Sequence, residues 1–243
     1  MESLPVDQLG ELLFHLDQAA SRGTDVMLAS VENAATLGIR GWIVMQDGND
    51  ITVTFTGQAE GKPVSLADVR YSDAGLTNPE MNLNDPPRLL SSPEQAMQAA
   101  RVAALSGFEP LCDPLYNTIV VSDTAKGEYL VYLIAATTDP DALVAAGHAL
   151  ARVSASGELL ERRNLSHTCL VVENPKDLEA VIITESISKQ PTEIHVFLSL
   201  LYDIPIVVIT GQDEAWGVSG TTIVNVSFVQ LKAVGPKTAE NEG

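Results

Sequence analysis

Cysteine is scarce in this chain. Its 243 residues include two, Cys112 and Cys169, and neither belongs to a C-x-x-C pair. Zinc ribbons and thioredoxin-type redox motifs both need thiols at short spacing, so both are excluded. Two readings of the sulfurs stay open, one disulfide closing a long loop or two separate buried thiols. Basic side chains are scarce too: 14 Lys and Arg stand against 32 Asp and Glu, for a formal charge of -18. Nucleic-acid binding begins with lysines and arginines displacing counterions, and no basic stripe is present to do it. Anionic membranes are disfavoured for the same reason. A cationic partner, a divalent metal or plain solubility fits this balance better.

Long apolar runs are missing as well. None approaches the roughly 18 residues of a membrane span. The first residues are acidic and amphipathic, without the basic and apolar regions of a signal peptide. The expectation is a cytoplasmic protein, although an exported chain whose leader had been removed would read the same. Familiar catalytic signatures are also absent: there is no G-x-G-x-x-G after a strand, no phosphate-binding P-loop and no H-E-x-x-H. Gly217-Val218-Ser219-Gly220-Thr221 approaches a nucleophile elbow, but its fifth position is not glycine and no helix follows. The runs 116–169 and 192–223 have a bacterial cast that carries no residue-level function.

What is present reads as an α+β fold, predominantly antiparallel β-sheet, with an N-terminal helix and a second, Ala-rich helix packed on the sheet. Ser3 and Pro5 suit a helix start. Val6, Leu9, Leu13, Leu16 and Ala20 then make one apolar stripe, and Gly23 is a natural stop. A hairpin follows. An apolar run at 42–45 meets the turn Asp47-Gly48-Asn49-Asp50, and Ile51, Val53 and Phe55 alternate with threonines beyond it. After a turn at 61–63 comes a third strand, 64–71. Residues 72–91, broken by Pro79, Pro86 and Pro87, read as a long irregular connection. The second helix starts at Ser92, Pro93 and Gln95, a capping box, and stops at Gly107.

The remainder reads as strands at 116–121, 129–136, 167–172, 181–184, 194–201, 206–210, 216–219 and 221–231, with 129–136 a central strand covered on both faces. The ambiguous stretch 143–153 is assigned to a hairpin starting near Gly147 and returning along 159–163. The expected organisation is one domain over residues 1–234, with a possible sub-boundary at 72–92, and a flexible tail at 235–243.

Few residues suggest chemistry. His167 and Cys169 are two apart and would share a strand face. His195 sits in another apolar segment, and His148 follows Gly147. If their strands are neighbours, imidazoles and a thiol could hold zinc or form a Cys–His nucleophile. Asp139 and Asp141 flank Pro140, and Asp213 and Glu214 precede Trp216. These could bind calcium or a cationic group, but no EF-hand pattern is present. No cofactor is implied. The first functional expectation is therefore a non-catalytic protein-binding or interaction module with an acidic surface, its partner another protein or a second copy of the chain. The second is a hydrolase or metalloprotein using His148, His167, His195 and Cys169.

Overall fold

The computed structural model describes residues 4–73, 75–112, 115–174, 178–211 and 214–227. Within these the chain divides into two compact units. Unit 1 holds Leu12–Thr138 and Ala146–Leu170; unit 2 holds Leu4–Glu11, Asp139–Ala145 and the described residues from Val171 onward. The expected flexible tail lies outside the described residues. The fold is α+β and mainly antiparallel, as the sequence pattern requires.

α1 (Val6–Ser30) belongs to unit 1 from Leu12 onward; after it β1 (Gly41–Asp47), β2 (Asp50–Ala59), β3 (Lys62–Tyr71) and β4 (Glu80–Leu89) pair in that order as one sheet. The β1–β2 hairpin turns on Gly48-Asn49, and the β2–β3 hairpin on Glu60-Gly61. Glu60 and Gly61 have φ of 52° and 77°, the left-handed values a two-residue turn demands. Val53, Phe55, Ala67, Val69 and Tyr71 face Ala19 and Met27 of α1 in one buried cluster. Gly23 does not end this helix. A Cβ there would stand 3.0 Å from a methyl of Val53, so the glycine admits close packing of helix on strand and α1 continues for two more turns.

β4 corrects a second expectation. The segment read as an irregular connection contains a ten-residue strand, despite Pro86 and Pro87. It is an edge strand, where a missing N–H need cost no ladder bond. α2 (Ser92–Leu105) is capped one residue earlier than its sequence suggests: Ser91 and Glu94 form the box. Its Ala100, Ala104 and Met97 pack on a second sheet, ordered β5 (Leu115–Asp123), β6 (Glu128–Ala136), β8 (Ala149–Ser154) and β9 (Leu159–Asn164). β6 is buried without interruption from Val131 to Ala135, as a strand covered on both faces should be. β8 and β9 form the hairpin expected from Gly147 onward.

In unit 2, β7 (Ala142–Ala146) pairs with β10 (Leu170–Glu173). A second sheet runs β11 (Val181–Thr184), β12 (Ile206–Ile209), β13 (Glu214–Ser219) and β14 (Thr222–Ser227). β11 and β12 run parallel, joined by α3 (Glu193–Tyr202). The run 194–201, expected as a strand, is therefore a helix. Its eight mostly apolar residues satisfy either period, and tertiary burial decides: Ile194, Val196, Phe197 and Leu198 are all buried. Gly10 meets α3 closely, since a Cβ there would lie 2.5 Å from Val196 Cβ.

Candidate functional site

Each of the four side chains singled out from the sequence has its own local setting. Cys169 is bonded to Cys112, so its sulfur offers no thiolate. His167 is exposed in the bend before β10, not in a strand with Cys169. His148 is buried beside Gly147, and its Nδ1 accepts the Ala135 N–H at 3.1 Å. His195 belongs to α3 in unit 2, whereas the other three lie in unit 1. Among the described residues, no group of three or more His, Cys, Asp and Glu is placed to hold a metal ion.

His195 has a clear local role. Its Nδ1 accepts the Thr192 N–H at 3.0 Å, completing the α3 cap. The proton therefore sits on Nε2, which faces Glu185 Oε2 at 3.8 Å. Glu185 is fixed in turn by N–H donors from Ile187 at 2.6 Å and Ser188 at 3.2 Å. Burial pulls the His195 pKa down to about 4, against the opposing pull of Glu185. A histidine lowered in the folded state loses stability as pH falls from its usual 6.5 toward 4. The expected result is a decline of up to about 1.4 kcal/mol per pH unit in that window, absent in His195→Gln. Urea midpoints at pH 7, 6 and 5 measure it.

A different group of residues has the character of a binding site. Asp17, Ala20, Ser21, Thr24 and Asp25 of α1, with Trp42 of β1 and Asn117 of β5, line an open cleft of about 280 Å³ in unit 1. Helical spacing puts Asp17, Ala20 and Thr24 in one row, while β1 and β5 each stand at the end of their sheet. The Thr24 hydroxyl is turned back onto Ala20 O at 2.8 Å. Asp17 is half-buried and has no hydrogen bond or ion pair with any described residue, and burial alone raises its pKa to about 6. Arg101 lies 5.9 Å over the Trp42 ring but donates to Thr118 Oγ1 at 2.9 Å. It does not supply Asp17 with a counter-ion.

A carboxyl desolvated by the fold and left without a partner, beside an aromatic ring and several polar groups, marks a candidate site on physical grounds. The sequence could not single it out. Asp17 is one of 32 acids, and its distinction arises only when α1 meets β1 and β5.

No protein-family model and no curated protein matches the chain. Among solved structures, the catalytic domain of a GH62 α-L-arabinofuranosidase from Coprinopsis cinerea is similar over 57% of this chain and 35% of that one, at 7% identity and a TM-score of 0.20. A likeness that slight bears on neither the fold nor the chemistry of the chain.

Proposed function

We propose that the protein is a non-catalytic interaction module that receives a basic side chain of a protein partner in the Asp17 cleft. The unpaired, partly desolvated Asp17 carboxyl carries this reading. An incoming ammonium would supply the missing charge, and Trp42 would offer apolar and π surface to its alkyl stem. The net charge of -18 draws such a partner from a distance. The Cys112–Cys169 disulfide supports an oxidising compartment, and so favours export over the cytosol.

The test is calorimetric titration of a short lysine peptide into the whole chain. A ligand that favours ionised Asp17 must bind more tightly as pH rises from 5 to 7. Asp17→Asn should weaken binding at pH 7.5 by on the order of tenfold or more, the worth of one charge-assisted hydrogen bond. The same variant should fold well, because it removes a carboxyl that burial penalises. Glu60→Gln removes an equal charge in the exposed β2–β3 turn and should change little. Equal weakening by the two variants would mean diffuse attraction to an acidic surface, not recognition at the cleft.

A further inference from the structure

Asp17 borders a second space. Leu16, Val44 and Val120, together with Asp17, Ala20 and Trp42, surround a nearly closed void of about 10 Å³, room for about one water. The same three apolar residues also wall a larger groove of about 490 Å³. Leu12, Met45, Pro93, Met97 and Val121 complete its apolar lining, and Gln46 and Ser122 are among the few polar groups there. All of these residues belong to unit 1. The acidic cleft and the apolar groove are therefore two neighbouring openings beside α1, with this small void between them.

We infer that an extended segment of a partner protein spans both openings, carrying a lysine and, a few residues away, a large apolar side chain. The lysine would enter the cleft and the apolar side chain the groove. This inference rests on the cleft reading above and adds the second anchor. Charge complementarity selects the occupant: a chain of charge -18 repels acidic segments, and an unpaired carboxyl beside the apolar groove rewards a cation delivered with an apolar neighbour. Methionines at two wall positions suit a surface that adapts to the side chain it receives.

The experiment titrates the whole chain with peptides holding one lysine and one leucine, separated by one to five residues, and with matched peptides carrying serine for leucine. At the best separation, leucine should tighten binding about tenfold, the worth of largely burying one such side chain. Met45→Gln and Leu12→Gln, each checked for an unchanged melting temperature, should erase the leucine gain and leave lysine-dependent binding. Lysine dependence with no leucine gain at any separation overturns the second anchor and leaves the cleft reading intact. No lysine dependence at all overturns the cleft reading itself. A leucine gain that survives replacement of the lysine by glutamine overturns the coupling of the two openings. Hexylamine binding as tightly as the best peptide would replace the protein segment by a small amphiphile.

Discussion

Removing the Cys112–Cys169 disulfide should lower the free energy of unfolding by about 4 kcal/mol, the largest single loss expected in the molecule. The bridge joins residues 57 apart in sequence. In the chain-entropy model a loop of that size, left open, returns about 4 kcal/mol of freedom to the unfolded chain. Contacts near the bridge act in the folded state, where they hold the same ends together with or without the bond, so they leave this unfolded-state figure intact. The Tyr116 hydroxyl accepts the Cys112 N–H at 3.0 Å and donates to Gly147 O at 2.7 Å. Ser166 Oγ accepts the Gly147 N–H at 2.8 Å and donates to Thr168 O at 2.9 Å. Gly147 has φ of 113°, and a Cβ on it would lie 2.2 Å from Cys112 Sγ. This polar latch keeps the two ends close even when the sulfurs part. Urea unfolding of Cys112→Ala/Cys169→Ser against the oxidised chain measures the difference. A loss under about 1 kcal/mol would show that the unfolded chain already keeps these two segments close without the bond, because closing a free loop of this size alone costs more than that.

The strands most legible in the sequence are those bounded by clear turn chemistry. β1, β2 and β3 meet at Gly48-Asn49 and Glu60-Gly61, and β5 meets β6 across the turn after Asp123; β6 is legible by its unbroken apolar run, and β8 by the turn that leads into β9. The misread elements each involve a residue type with two uses. Gly23 is by type a helix stop, whereas here it grants close approach to Val53. Pro86 and Pro87 are by type strand breakers, whereas an edge strand tolerates them. The run Ser91-Ser92-Pro93-Glu94-Gln95 contains two overlapping capping boxes, and only the buried position of Glu94 decides between them. For α3 the local cue is Thr192, which with His195 three residues on caps the helix. The candidate site was less legible than the fold. A lone aspartate on a helix carries no periodic signal, and the cation-bearing network around Arg88 draws on β2, β3, β4 and α2 at once.

That network supports the second large expectation: Arg88→Met should destabilise the protein by about 3 kcal/mol at neutral pH. The guanidinium donates to both Glu94 oxygens at 2.8 Å and to Asp68 at 2.9 and 3.2 Å. Asp68 also accepts from Thr54, Ser65 and Asn84, and Glu94 from Thr54 and the Ser91 N–H. The Glu94 and Asp68 side chains are only 7% and 17% exposed, so removing the cation strands two carboxylates away from water. Breaking a buried pair costs about 3–5 kcal/mol, and the 38% exposure of Arg88 points to the lower end. Arg88→Lys should recover only part, because an ammonium cannot bridge both carboxylates with a planar fork. The pH dependence separates this account from a simple packing loss. Burial pushes the Glu94 pKa up, yet the bonds from Arg88 and Ser91 hold it at about 2. Its stabilisation is therefore complete above the ordinary value of 4.5 and lost as pH falls through 2. Without Arg88 the Glu94 carboxyl must protonate at higher pH, so the cost of Arg88→Met should shrink steadily between pH 5 and pH 2. A cost that stayed constant over that range would place the role of Arg88 in its alkyl stem rather than its charge.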